Sequence, residues 1–299
     1  MSIILPEGLP AAERLRAEGI EVLAAGDDRS RAVHPLRVAL VNLMPTKDRT
    51  ETQIARLLGG AEAPVELTLV LPEGYRPKTA PAAHVGSFYQ RFGEVSHRRF
   101  DALIVTGAPV EHLPFEAVDY WDGLREIFDW SQANVGRGYY ICWAAQAALK
   151  HFHGIDKSPL AEKRFGLFRH HIRQPRAALF QGIGQDIRIP VSRHTEVSRG
   201  DLAGGKGLVV LADSTEAGPG LVADPGRRAL YMFNHWEYDD DTLVSEYERD
   251  QAAGQAIAPP AGYTQDGEGR LRLPINPWRA PARRFFRNWL SLAGAAVSA

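Results

Sequence analysis

Cysteine is almost missing from this chain: Cys142 is the only one in 299 residues. A lone thiol excludes an internal disulfide and any zinc site built on several cysteines, so a reducing compartment is expected. Long apolar runs are missing too. No stretch approaches the ~18 consecutive apolar residues of a membrane span, and residues 1–16 lack the basic flank and apolar core of a secretory leader. The expected setting is therefore the cytoplasm, with no membrane partner. Charge of one sign is absent as well, since 35 Lys and Arg face 36 Asp and Glu for a net charge of −1. Nucleic acid is not expected as a partner. Neither internal repeats nor low-complexity tracts occur.

What is present suffices for an enzyme-sized core: 44% hydrophobic and 24% charged residues are ordinary globular values. Strand-like runs at 37–43, 65–71, 102–107 and 139–142 alternate with helix-like stretches at 50–58, 83–92 and 116–130. This alternation predicts an α/β fold, a mostly parallel sheet with helices on both faces. Sites in such sheets gather at the carboxyl ends of strands. Four special segments follow strand-like runs: Met44-Pro45-Thr46-Lys47, Thr106-Gly107-Ala108-Pro109, Cys142-Trp143 and His235-Trp236-Glu237. They are expected to converge on one rim. Beyond residue 155 the pattern loosens into a charged segment, 156–173, then strand-like runs at 186–190 and 207–212 that should complete the same sheet. Residues 252–279, rich in Pro and Gly, read as a long surface loop before a closing helix around 282–292. The expected division is an N-terminal segment, 1–35, packing on the core; an α/β domain, 36–250; and a wrapping loop with closing helix, 251–299.

Cys142 sits where Tyr139-Tyr140-Ile141 gives way to the helix-like Trp143-Ala144-Ala145-Gln146-Ala147-Ala148-Leu149, the placement of a nucleophile elbow. A thiol at the first turn of a helix meets the positive end of the helix dipole and unpaired N–H groups, which favour thiolate and can hold an oxyanion. The plainer alternative is a small apolar core residue. Downstream, the apolar run 228–233 ends in Asn234-His235-Trp236-Glu237, so an imidazole and a carboxylate leave a strand end together. Cysteine, histidine and glutamate are the three groups of a Cys-His-Glu relay.

These segments resemble the homoserine O-acyltransferases, the O-acetyltransferases and O-succinyltransferases that share the class I glutamine-amidotransferase-like fold. The matching blocks are Val41-Asn42-Leu43-Met44-Pro45-Thr46-Lys47, Thr50-Glu51-Thr52-Gln53, Leu103-Ile104-Val105-Thr106-Gly107-Ala108-Pro109 and Val118-Asp119-Tyr120-Trp121. The octapeptide from Cys142 to Leu149, Glu162-Lys163, His170-His171, Ser192-Arg193-His194 and His235-Trp236-Glu237-Tyr238-Asp239 follow in order. Glutamine amidotransferases usually carry Gly two residues either side of the nucleophile; Tyr140 and Ala144 stand there instead, which favours the acyltransferase branch. Beyond residue 255 the match thins.

The resemblance implies that Cys142 takes an acyl group from acyl-CoA as a thioester, which the hydroxyl of homoserine then attacks, giving ping-pong kinetics in methionine biosynthesis. It implies His235 as base, Glu237 as its orienting carboxylate, the Trp143 N–H as oxyanion donor with help from the loop at Thr46-Lys47, and Lys163, Ser192 and Arg249 as holders of the acceptor. Glu111 marks the position that separates donors in this family: Gly goes with succinyl-CoA and Glu with acetyl-CoA. Acetyl-CoA is thus the expected co-substrate, with no bound cofactor, no metal and a homodimeric assembly. Without the resemblance, Lys163 and Arg249 read as ordinary charges and Glu111 as an acid opening a surface helix. Rival readings are succinyl transfer, acetyl transfer to serine, and a catalytically silent binding protein on the same scaffold.

Other signals carry less. Gly200-Asp201-Leu202-Ala203-Gly204-Gly205-Lys206 imitates a phosphate loop, but Gly207 replaces the needed Ser or Thr, so a flexible hairpin-like loop is expected. His151, His153, His170 and His171 lack partners at metal-site spacing. Arg279, Arg283, Arg284 and Arg287, interleaved with Phe285, Phe286 and Trp289, read as the solvated face of an amphipathic helix.

Overall fold

Runs in which apolar residues follow one another without alternation belong in the middle of a sheet that is covered on both faces. A computed structural model describes residues 2–77, 79–272 and 276–295 of the chain. Its main sheet holds β1 (Ser2–Leu5), β2 (Glu21–Ala24), β3 (Leu36–Val41), β4 (Val65–Leu71), β5 (Tyr89–Arg91) and β6 (Phe100–Val105). It continues with β7 (Val135–Ile141), β8 (Ser158–Ile172), β9 (Asp186–Glu196), β10 (Val209–Ser214), β11 (Gly218–Asp224) and β12 (Ala229–Met232). The order is β2-β1-β4-β3-β6-β7-β12-β11-β10-β8-β9, with β5 on β4. From β2 to β12 every neighbour is parallel, and from β12 to β9 every neighbour is antiparallel. The mostly parallel α/β sheet is as expected.

Alternation along β3 divides the core in two. Val38 and Leu40 face the helices Ala11–Ala17, Lys47–Leu58 and Arg279–Ala295, whereas Ala39 and Val41 face Trp121–Asn134 and Trp143–His153. The aromatic residues of the closing helix are core: Phe285, Phe286 and Trp289 are fully buried, and all three pack on Tyr139. Trp236 meets Phe285 edge-on at 4.5 Å. Such aromatic pairs add roughly 0.5–1.5 kcal/mol beyond the area they bury. The closing helix therefore props the segment that carries His235 and Glu237.

Several expectations change. Residues 2–5 and 21–24 do not merely pack on the core; they extend the parallel sheet as β1 and β2. The helix expected over 83–92 is Ala82–Phe88 and stops because Tyr89, Gln90 and Arg91 pair with Leu69, Val70 and Leu71. The stretch 116–130 splits into a short turn, Phe115–Ala117, and the helix Trp121–Asn134. The charged segment 156–173 is largely the long strand β8, its alternation hidden by exposed charges and by an irregular register between Pro159 and Arg164. Of residues 200–206 only 205 and 206 are a turn, and the rest is helical: Ser198 caps the helix Arg199–Gly204, accepting from the Asp201 N–H while Asp201 accepts from the Ser198 N–H, a reciprocal capping box.

Candidate active site

Parallel strands in register end together, so their next residues share one rim. β3, β6, β7 and β12 are successive neighbours, and Ile141 of β7 stands opposite Met232 of β12. Cys142 and the segment from Phe233 onward therefore leave the sheet side by side, tied by a Cys142 N–H bond to the Met232 carbonyl at 2.6 Å. The neighbouring turns are joined too, the Leu43 N–H donating to Thr106 Oγ1 at 2.8 Å. Met44, Gly107, Cys142 and His235 line one cavity of about 280 Å³.

Cys142 has φ 51° and ψ −115° directly before the helix Trp143–His153. A side chain in that region is strained by about 1–3 kcal/mol, and the sharp turn presents the sulfur at the helix start. Gly107 permits the close approach: a Cβ there would lie 3.2 Å from Cys142 Cβ and 3.7 Å from the Trp143 nitrogen. The Trp143 ring is buried between Phe115 and Tyr120. Its N–H, at the first helical position, precedes any helical carbonyl it could use.

His235 lines the cavity together with Cys142, near enough for each to shift the other's pKa, and its Nδ1 lies 2.7 Å from a Glu237 oxygen. Its N–H bonds the Pro190 carbonyl at 2.9 Å, and its ring stacks on Tyr238 at 4.1 Å. Burial alone would lower the His235 pKa, but the Glu237 carboxylate and the cysteine sulfur override it and hold the value well above the ordinary 6.5. Burial pushes the Cys142 thiol up, and His235 pulls it only partly back. Burial thus opposes loss of the thiol proton, while the Glu237 carboxylate favours a proton on the imidazole.

Glu237→Gln should therefore lower the His235 pKa and slow alkylation of Cys142 by iodoacetamide at pH 7 by about 10²-fold or more, with the rise of rate with pH moved to higher pH. Equal alkylation rates in variant and parent would rule out this role. The sign for stability is also set. A raised histidine pKa stabilises the fold fully below 6.5, and the contribution disappears as pH climbs through the raised value; the variant should lose that slope.

Glu111 also faces the sulfur. Its Oε1 lies 3.6 Å from Cys142 Sγ, and its Oε2 accepts from the His194 N–H at 3.1 Å. Lys157 donates to the Glu111 carbonyl at 2.6 Å and to that of Leu113 at 2.7 Å, which steadies the loop.

Lys163, Ser192 and Arg249 line the same cavity. Lys163 Nζ lies 2.9 Å from Asp250 and 3.6 Å from Glu246. Ser192 donates to Glu246 at 2.5 Å, and Tyr238 donates to the other oxygen at 2.7 Å. Arg249 directs Nε and a terminal nitrogen to Asp250 at 2.9 and 2.7 Å. Lys47 is placed differently: its buried ammonium is turned to the Asn42 and Met44 carbonyls, at 2.7 and 3.0 Å, and to the Tyr75 hydroxyl at 3.1 Å. Burial pulls its pKa down to about 7 against the opposing pull of Glu51. Lys47 braces the Met44-Pro45 turn from behind the cavity. Glu246 and Asp250 belong to no motif and escape a reading of the sequence, although their i, i+4 spacing puts two carboxylates on one helix face.

Comparison with known proteins bears on this geometry. Residues 2–297 match the model of the homoserine O-succinyltransferase family. The chain belongs to that family. It is 48% identical to a homoserine O-acetyltransferase of Hyphomonas neptunium, over 97% of this chain and 95% of the relative. It is 47% identical to one of Brucella melitensis with the same shares. An acyltransferase of this family thus carries the cavity, and the silent-scaffold reading falls away. The match also spans the C-terminal segment, where the resemblance thins. Among solved structures, a glutamine amidotransferase of Methylobacillus flagellatus superposes with TM-score 0.55 at 14% identity, over 88% of this chain and 95% of that one. A glutamine amidotransferase of Thermotoga maritima gives 0.53 at 12% identity, over 89% and 100%. These likenesses show the fold. Among the described residues no helix is long and apolar enough to cross a membrane.

Proposed function

We propose that the protein transfers an acetyl group from acetyl-CoA to the side-chain hydroxyl of L-homoserine, in two steps through Cys142. The observation that carries the choice of donor is the Glu111 carboxylate 3.6 Å from Sγ, where a succinyl group would bring its own negative charge. His235 takes the thiol proton as sulfur attacks the thioester carbonyl; the C–S bond to CoA breaks, and the proton leaves with the CoA thiol. The acceptor hydroxyl then gives its proton to His235 and attacks the acetyl-cysteine. Oxygen becomes acylated, and the thiol regains the proton. The Trp143 N–H holds the oxyanion in both steps.

The acceptor brings an ammonium and a carboxylate. Glu246, already gathering hydroxyl donors from Ser192 and Tyr238, suits the ammonium, and Arg249 and Lys163 suit the carboxylate. A thiol that must stay reduced fits the cytoplasm, an O-acetylated homoserine fits methionine biosynthesis, and kinship favours a homodimer. Intact-protein mass spectrometry after incubation with acetyl-CoA or succinyl-CoA tests the reading. An acetyl adduct discharged by homoserine, and not by serine, is expected; a succinyl adduct alone would reverse the donor, and discharge by serine would reverse the acceptor.

A further inference from the structure

A second groove begins where the catalytic cavity ends. It measures about 280 Å³ and shares Pro45 and Pro109 with the cavity around Cys142. The segment 109–113 forms the partition: Glu111 and His112 face the catalytic side, while Val110 and Leu113 line the groove. Val118 and the ring of Tyr120 close its floor, and both are buried. Leu113 is 43% exposed, the only large hydrophobic side chain among the described residues that is open to this degree. With Val110 and Val118 it gives the groove an apolar wall beside the active site. Arg76 and Asp119 line the same groove, and both are exposed.

We infer that this groove holds the pantetheine arm of the acyl-CoA donor, with Arg76 meeting its phosphates. This assignment rests on the proposed use of an acyl-CoA. Three observations converge on that occupant. Continuity through Pro45 and Pro109 places one end of the groove beside the sulfur, where the thioester must sit. The lining is apolar along Val110, Leu113 and Val118, as the gem-dimethyl and methylene groups of the arm require. Polar groups are few and placed for its amides: Asp119 can accept an amide N–H, and Thr79, whose hydroxyl donates to the Pro45 carbonyl at 2.9 Å, keeps lone pairs free. A guanidinium supplies the planar fork suited to phosphate. The rigid wall follows from the network behind it, since the Tyr75 hydroxyl donates to the Leu43 carbonyl at 3.1 Å and receives the Lys47 ammonium.

The groove can be blocked without touching the chemistry. Ala117 is exposed on its wall, in the short turn Phe115–Ala117, so Ala117→Trp fills the space from outside the core. Acylation of Cys142 is followed with three donors: acetyl-CoA, S-acetylpantetheine, which lacks the phosphates, and p-nitrophenyl acetate, which lacks the arm. Ala117→Trp should raise KM for the first two by about 10-fold while changing the rate with p-nitrophenyl acetate by less than about twofold. Leu113→Asp should act the same way and serves if the tryptophan variant folds poorly. Arg76→Ala should raise KM for acetyl-CoA alone by about 3–10-fold. Unchanged KM for acetyl-CoA in both groove variants overturns the assignment. If that result comes with an altered oligomeric state in light scattering, a second copy of the chain covers the groove instead. Parent enzyme that is acylated by p-nitrophenyl acetate but by no CoA thioester overturns the donor reading, and this assignment with it.

Discussion

Cys142→Ala is expected to abolish the acyl adduct and to lower turnover by about 10⁴-fold or more, with the fold retained. The size follows from the mechanism. Without sulfur there is no covalent intermediate, and what remains is whatever direct transfer the cavity supports by holding donor and acceptor together. Cys142 is 5% exposed and the hydrogen bonds its sulfur makes are long, 3.6 Å to Glu111 and 3.9 Å to the Ser192 carbonyl. Loss of one sulfur atom should therefore leave the packing intact. Alanine keeps the unfavourable φ of 51°, so the variant also keeps the strained turn. Cys142→Gly should relieve it, giving an inactive protein more stable than the alanine variant by roughly 1 kcal/mol. Thermal melts and adduct mass read both. Turnover within about 100-fold of the parent in the alanine variant would move the nucleophile elsewhere.

Glu111→Gly is expected to shift donor preference, expressed as the ratio of kcat/KM for succinyl-CoA to that for acetyl-CoA, upward by about 10–100-fold. Two unit charges about 4 Å apart repel by about 1 kcal/mol in water and about 4 kcal/mol at the effective dielectric of a protein surface. A succinyl group on the sulfur ends in a carboxylate two methylenes beyond the thioester carbon, close enough for Glu111, 3.6 Å from the same sulfur, to repel it. Glycine removes both the charge and the volume. Glu111→Gln separates them: if charge dominates, the amide should recover much of the shift, and if volume dominates it should recover little. A ratio unchanged in both variants would show that the donor is chosen elsewhere.

Legibility in the sequence differs sharply from one part of the molecule to another. The parallel half is readable because β3, β4, β6 and β7 are buried on both faces, and such strands announce themselves as unbroken apolar runs. The antiparallel half is not. β8 carries Glu162, Lys163 and Arg164 along a ladder with a register shift, and there neither period 2 nor continuous burial survives to be read. Tyr89–Arg91 reads as helix because local propensity knows nothing of an open edge on β4.

The site divides the same way. Cys142 before a helix, and His235 with Glu237 after a strand, are local patterns; chain chemistry alone determined which groups could react. Tertiary structure alone decided that the β7–β12 register makes them neighbours, that Glu111 turns its carboxylate to the sulfur, and that Glu246 and Asp250 face the cavity. It also decided that Lys47 points away, because three oxygen acceptors claim its ammonium from behind. Residue type limits what a side chain can do. Which partner it meets depends on contacts far apart in the chain, and no local spacing encodes those.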